Sequence, residues 1–110
     1  MTPQIYRQGD ILLVPINFTP RNTKAVKREN GKLILAHGEI TGHHHAFGTD
    51  VRNVELVTAD EAAELYLLVH GTEYAPLTHQ EHATIPVAPG SYRVRRQVEY
   101  TPERIRQVAD

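Results

Sequence analysis

The 110-residue chain contains no cysteine and no tryptophan. The lack of cysteine excludes disulfides, thiolate zinc sites, iron–sulfur clusters and cysteine nucleophiles. The sequence also lacks an apolar run of the ~18–20 residues that cross a bilayer, and it lacks a basic N-terminal stretch followed by an apolar one. We therefore expect no membrane partner, no signal peptide and a cytoplasmic location. The length predicts a single domain over residues 1–110.

An excess of one charge is also missing, because the formal net charge is −1. Charge is nevertheless uneven along the chain. Residues 1–32 carry six basic and two acidic side chains, and residues 91–110 carry five arginines and three acids. Residues 33–90 carry one arginine, eight acids and all seven histidines. Such a segment suits a cation better than a phosphate, so nucleic-acid binding stays open without being favoured. The alternative is chance clustering on a solvated face.

Short β-prone segments dominate the sequence, and turn residues separate them roughly every 8–12 residues. This pattern predicts an all-β fold, a single compact β-barrel or sandwich of about eight short strands. Asn30-Gly31 predicts a two-residue hairpin turn. Residues 65–69 are apolar on both faces and predict a central strand. Thr58 begins a capping-box pattern that predicts a helical turn through Glu64. Thr101, followed by Pro102, predicts a short C-terminal helical turn.

Four histidines make the strongest candidate site. Side chains alternate along a strand, so His43 and His45 share one face and both reach one metal ion. His79 and His82 converge with them if the polar segment between them turns. Glu81 is then a further ligand or a general base beside a metal-bound water. Three or four imidazoles suit zinc best, and iron, nickel or manganese are alternatives. Solvated or core histidines without a ligand are the competing interpretation.

Arg96 is the other candidate catalytic residue. It falls on the apolar face of a predicted strand over residues 91–100, with these neighbours on that face: Tyr92, Val94, Val98 and Tyr100. A charge there has to be paired or line a cavity. Glu39 and Glu81 are the expected partners, and orientation of an anionic substrate is a further role. A bulge that shifts the register is the alternative.

Three functions fit these residues. The first is a divalent-metal site that supports metal-dependent hydrolysis. The second is a non-catalytic binding or assembly module, a homo-oligomer or a component of a larger complex, with histidines at a subunit interface. The third is a metal-independent ribonuclease in which histidine and glutamate exchange protons with RNA. Arg93 and Arg95 would then neutralise a phosphate, although a solvated strand face is the simpler interpretation.

The chain also resembles a family of small bacterial and phage-encoded proteins of uncharacterised function. The resemblance rests on the segments Gly38–His45 (GEITGHHH), His79–His82 (HQEH) and 89–100 (PGSYRVRRQVEY), together with the opening 6–10 (YRQGD). It covers most of the chain and implies no reaction.

A weaker likeness connects the sequence to the cupins, which are β-barrels with a His-x-His metal motif. The cupin pattern places a glutamate a few residues after the second histidine, where the nearest acid of this chain is Asp50. It also places a later histidine after a Pro-x-Gly turn, whereas His79 and His82 precede Pro89. A cupin-like site therefore remains an analogy.

Overall fold

A computed structural model describes residues 4–38, 42–59, 64–100 and 105–107. These residues form strands and no helix, as the predicted all-β class requires. In chain order the strands are β1 (Tyr6–Gln8), β2 (Ile11–Pro15), β3 (Thr23–Ala25), β4 (Leu33–His37), β5 (His44–Phe47), β6 (Val54–Ala59), β7 (Glu64–Val69), β8 (Ala75–Thr78), β9 (Ile85–Val87), β10 (Gly90–Arg96), β11 (Val98–Tyr100) and β12 (Ile105–Gln107).

The larger sheet is six-stranded, with the order β1-β2-β10-β7-β6-β3. All its neighbours are antiparallel. β7 has a strand on each side, which confirms the central strand predicted for residues 65–69. Its apolar composition follows from this position, because Leu67 and Val69 face the core while Tyr66 is buried in a smaller cluster on the other face. Pro15 is the last residue of β2. Its missing N–H does not interrupt the pairing with β10, since the amide of Ile16 still donates to the carbonyl of Ser91.

A second sheet is four-stranded, with the order β4-β5-β8-β9, and β11 and β12 form a separate two-stranded pair. Its β4–β5 register shifts between Ile34 and Ala36, so Leu35 is an extra residue on β4. Such a bulge bends the strand and re-aims neighbouring side chains. The residues of β5 that oppose the bulge are Ala46 and His45, which pair with Ile34 and Ala36.

Both sheets contribute to one hydrophobic core. Among the described residues the two sheets stay separate and do not close into a barrel, so the sandwich form of the prediction is the one that holds. The largest fully buried side chains are Tyr92, Phe47, Ile11, Leu13, Leu56, Leu67, Leu77, His45 and Val87. A histidine thus occupies a position that apolar side chains fill elsewhere in the core.

A two-residue turn forms at Asn30-Gly31, as predicted, but the strands on either side do not pair as a hairpin, since β3 pairs with β6 and β4 with β5. Both residues have positive φ, 52° and 82°, as the favoured two-residue turn requires. Glu29 and Lys32 close the turn through two backbone hydrogen bonds. Gly31 is required here for a second reason, because a Cβ atom at this position would lie 3.0 Å from Cγ2 of Thr49.

Two local predictions differ from the structure. The strand predicted over residues 91–100 is interrupted at Gln97. The backbone N–H of Gln97 donates instead to the backbone carbonyl of Asp10. The C-terminal helical turn is wrong at residues 105–107, which form β12 and pair with β11, because strand pairing outweighs the capping signal of Thr101. The remainder of that turn, and residues 60–63 of the turn predicted after Thr58, lie outside the described residues. Within the described chain, no helix is long and apolar enough to span a membrane.

Candidate histidine site

The rings of His43, His45, His79 and His82 form one group, here called the histidine cluster. His79 is central: its ring centroid lies 4.5 Å from that of His45, 4.6 Å from that of His82 and 5.5 Å from that of His43. The rings of His45 and His82 are 6.3 Å apart and nearly parallel. His45 is fully buried and His79 is 8% exposed. The structure therefore brings together the four histidines that the spacing in the sequence groups.

Strand alternation explains which of the three consecutive histidines enters the cluster. His43 and His45 both approach His79, whereas His44 lies beside His37 and Gln80. The ring of His44 hydrogen-bonds the carbonyl of Gly42 through Nδ1. Partial burial, and then the positive charge of Lys32, lower the pKa of His44. His44 is thus a separate, largely neutral group on the opposite side of β5.

Gln8 fixes the proton on His45. The side-chain amide of Gln8 donates to the carbonyls of Leu77 (2.9 Å) and Ala83 (3.0 Å). Its Oε1 atom therefore faces His45 and lies 2.9 Å from Nδ1 of that ring. Because an amide oxygen only accepts, Nδ1 of His45 has to carry a hydrogen. The Nε2 lone pair, or a second proton, is then directed to the other side of the ring.

Asp10 lies on that other side. Its Oδ1 atom is 3.4 Å from Nε2 of His45, and its side chain is 3% exposed. Oδ2 of Asp10 is 3.0 Å from Nε of Arg96, and the same guanidinium donates to the carbonyl of His37. Arg96 thus faces inward, as predicted, and Asp10 holds it there. The expected partner Glu81 lies elsewhere, and Glu39 is outside the described residues.

His79 differs from the other members of the cluster. The chain turns immediately after β8, and the backbone amides of Glu81 and His82 donate to its Nδ1 atom at 3.0 and 3.4 Å. In the neutral ring the hydrogen is therefore on Nε2. In this conformation His79 offers a donor to the cluster, and a lone pair for a ligand has to come from the other three rings.

His43 and His82 carry the cluster's unsatisfied nitrogens. Nδ1 of His43 and Nε2 of His82 are buried, and neither has a hydrogen-bond partner among the described residues. Oδ1 of Asp10 is buried in the same way. The carboxylate of Glu81 lies 4.0 Å from Nδ1 of His43, and the Glu81 side chain is 56% exposed. Glu81 is thus at the solvent side of the cluster.

Within the described chain, no three histidine, aspartate or glutamate side chains are already arranged to hold a metal ion. One contact contributes to this, because Nδ1 of His79 accepts backbone hydrogen bonds and is not available to an ion. The remaining histidines lie elsewhere: His37 pairs with Glu29 and His70 with Glu55, and all four of these side chains are exposed.

Sequence reasoning missed Gln8 and Asp10. Along β1, Tyr6 and Gln8 are buried and Arg7 is exposed. Strand alternation therefore places a polar side chain at position 8 in the interior, which was the signal in the sequence that Gln8 has a buried partner. Asp10 follows Gly9, whose φ is 58°, and a Gly-Asp pair is typical of a turn. A turn residue that is 2% exposed has a further role, which the local sequence does not reveal.

Comparison with known proteins adds the family and leaves the function open. No curated protein and no solved structure matches the chain. One family profile matches residues 7–97, a range that contains the whole histidine cluster with Gln8, Asp10 and Arg96. The chain therefore belongs to DUF8820, a family described as a domain of unknown function.

Proposed function

We propose that this protein binds one divalent metal ion, of the zinc class, in the histidine cluster. The observation that carries the proposal is the pair of buried ring nitrogens, Nδ1 of His43 and Nε2 of His82, without hydrogen-bond partners in the described chain. Leaving a buried polar atom unpaired costs about 1–3 kcal/mol. Two such atoms in one cluster of imidazoles are the expected signature of a ligand that satisfies both.

The spacing of the rings supports this proposal. Imidazoles that share a metal at about 2.0–2.1 Å hold their ring centres roughly 5–6 Å apart. Of the three rings offered as ligands, those of His45 and His82 have centroids 6.3 Å apart, slightly above this spacing. All three rings pack around the central ring of His79, so a small inward rotation would bring their nitrogens closer to one point. His45, through Nε2, and Asp10, through Oδ1, would complete the site, with His79 as the neighbouring donor.

The contacts of His45 further support a cation. Gln8 places the hydrogen of that ring on Nδ1, which leaves a lone pair at Nε2 when the ring is neutral. Nε2 of His45 lies 3.4 Å from Oδ1 of Asp10, and a cation bound between a ring nitrogen and a carboxylate oxygen would interact favourably with both. A metal ligand whose second nitrogen donates to a fixed acceptor is also the common arrangement around protein-bound zinc.

Burial favours ion binding over metal-free proton transfer to RNA. A general acid or base has to reach the substrate, whereas His45 is fully buried and His79 nearly so. A bound divalent ion would supply water acidic enough for hydrolysis near neutral pH. Glu81, exposed beside His43, is the carboxylate placed to accept that proton.

The test is a titration with cobalt(II), whose visible absorption reports nitrogen and oxygen ligation. Untagged protein should give one saturable transition at about one equivalent, which zinc displaces. His43→Ala and His82→Ala should each weaken binding by roughly 10–100-fold or more. His70→Ala, which removes an exposed histidine outside the cluster, is the matched control. Equal loss in all three variants, or no saturable binding, would contradict the proposal.

Hydrolysis is tested separately on the metal-loaded protein with activated ester and phosphodiester substrates. Glu81→Gln should retain the cobalt spectrum and lose turnover, because the carboxylate serves as base and not as a required ligand. Turnover that survives this change would assign Glu81 no part in the reaction. A loaded protein with no turnover would limit the function to metal binding, and its native mass would then test the role in assembly.

A further inference from the structure

The outer face of the six-stranded sheet carries an exposed aromatic ring among arginines. Phe18, in the loop after β2, is 48% exposed. Its ring packs edge-on against Tyr66 of β7, with centroids 6.0 Å apart and planes at 86°. Tyr66 is buried, so Phe18 packs on a buried neighbour while about half of its own surface stays exposed. An exposed phenylalanine packed in this way can serve as a stacking platform.

Arg93 binds to both rings. Its guanidinium carbon lies 5.9 Å from the centroid of Phe18 and 5.7 Å from that of Tyr66, within cation–π range. Its Nε atom is 3.7 Å from the carboxylate of Glu64. A cleft of about 490 Å³ opens beside this group, and its walls are Phe18, Thr19, Pro20, Arg21 and Tyr66. The cleft therefore combines aromatic surface with cationic groups.

The strand registers extend the positive charge beyond the cleft. Arg93 and Arg95 are two residues apart on β10, so they share the face opposite to buried Tyr92. Arg95 pairs across the sheet with Leu12, and Leu12 pairs on its other side with Arg7. Arg7 and Arg95 thus flank one apolar residue, roughly 10 Å apart given antiparallel pair spacing. Both are exposed.

From this arrangement we propose that the outer sheet face binds single-stranded nucleic acid, with Phe18 stacking on a base and Arg21, Arg93, Arg95 and Arg7 tracking the phosphates. Aromatic platforms next to a positively charged groove are how proteins hold single strands without reading their sequence. The arginines extend over β1, β10 and the loop after β2, a span larger than one nucleotide needs. The histidine cluster belongs to the four-stranded sheet, at β5 and in the segment after β8, so this site does not depend on the proposed metal.

The probes are fluorescein-labelled oligo(dT) and oligo(U) of about 12 nucleotides, within the usual site size for such proteins. Binding is measured by fluorescence anisotropy at several salt concentrations. Phe18→Ala should weaken binding about tenfold, the effect of losing one stacked base. Tyr74→Ala removes an equally exposed ring, 48%, in a different cleft and should have no effect. Circular dichroism confirms that each variant is folded.

Charge is tested on a second variant, which keeps the result interpretable if Phe18→Ala unfolds. Arg95→Gln should weaken binding and reduce the slope of log affinity against log salt by about 0.7, the loss of one phosphate contact on a single strand. Arg52→Gln, an exposed arginine beside Tyr74, should change neither value. All these results should persist in chelator and in His43→Ala.

Three results would overturn the proposal. The first is no anisotropy change with either oligonucleotide. The second is a pair of results: inorganic polyphosphate displaces the oligonucleotide, and Phe18→Ala binds the oligonucleotide as tightly as the wild type. Together these would show that the face attracts negative charge alone. The third is that free uridine monophosphate competes with the labelled strand at the same concentration as an unlabelled strand does. This would show a pocket for a single nucleotide instead.

Discussion

Nε2 of His45 lies 3.4 Å from Oδ1 of Asp10, and the two side chains are 0% and 3% exposed. Neither side chain reaches water, and Gln8 holds the hydrogen of the ring on the opposite nitrogen. A cation bound between these two atoms would interact favourably with both, and the neighbouring ring of His79 offers a donor to the same cluster. The proposed metal site places a divalent ion there, and Asp10→Asn is its first test.

Asp10→Asn keeps the size of the side chain and removes its charge. In a metal site this change should lower metal affinity by roughly 10–100-fold and abolish most of the metal-induced rise in the melting temperature. Thermal unfolding with and without zinc measures the effect. Asp50→Asn, at an exposed aspartate, should leave the rise intact. A full zinc-induced rise in Asp10→Asn would place the cation elsewhere.

Gln8→Leu removes the acceptor for His45 and leaves the carbonyls of Leu77 and Ala83 without the amide donor. Buried groups that lose a partner cost about 1–3 kcal/mol each, so the free energy of unfolding should fall by at least about 2 kcal/mol. Urea unfolding measures it. Gln4→Leu, at an exposed glutamine, is the control and should change stability by less than about 0.5 kcal/mol. Equal stability of the two variants would contradict the buried network.

Part of the fold and of the candidate site could be predicted from local patterns in the sequence. The alternation of His43 and His45 and the Asn30-Gly31 turn depend on local backbone geometry, so local reasoning finds them. The central strand at residues 65–69 was predictable because a continuous apolar run has to be covered on both faces.

The residues that contact the cluster, Gln8 and Asp10, could not be predicted from the sequence, for a different physical reason. Gln8 and His45 are 37 residues apart in the sequence, and Arg96 meets Asp10 only because β10 pairs with β2. A pairing between distant strands leaves no periodicity in either segment. The same reason explains the wrong helical turn at residues 105–107, where pairing with β11 decides the structure.

Arg96→Gln tests the pair with Asp10. The bond joins a half-buried guanidinium to a buried carboxylate, so its loss should cost about 1–3 kcal/mol, as expected for a hydrogen bond between charged groups. Arg95→Gln, at the neighbouring exposed arginine, should cost less than about 0.5 kcal/mol. Chemical denaturation compares the two. An Arg96→Gln protein as stable as Arg95→Gln would remove the structural role assigned to this residue.

Tyr92 gives a prediction in alkaline solution. Burial, with a further contribution from Tyr6, raises the pKa of Tyr92 above its usual range. The folded state thus holds the phenolic proton more tightly than the unfolded chain, so its stabilising effect is complete below about pH 10 and declines as the pH rises further. In Tyr92→Phe the free energy of unfolding should decline less steeply above pH 10, although the variant loses the hydrogen bond to Ala88. Parallel pH profiles would contradict this.

Gly31→Ala and Gly71→Ala separate backbone strain from steric contact. Both glycines have positive φ, 82° and 74°, so alanine costs about 1–2 kcal/mol at either position. At Gly31 the new methyl group also meets Thr49, whereas no atom of the described residues lies within 4 Å of a Cβ at Gly71. Thermal unfolding should therefore show the larger loss for Gly31→Ala. A larger loss for Gly71→Ala would argue against the described turn at Asn30-Gly31.

The most direct test of the central claim is elemental analysis by mass spectrometry on untagged protein, purified without chelator and without a nickel column. We expect about one equivalent of a single divalent metal in the wild type. The metal should be lost in His43→Ala and in His82→Ala and retained in His70→Ala. Protein that holds no metal, even after incubation with zinc, manganese and iron(II), would contradict the claim.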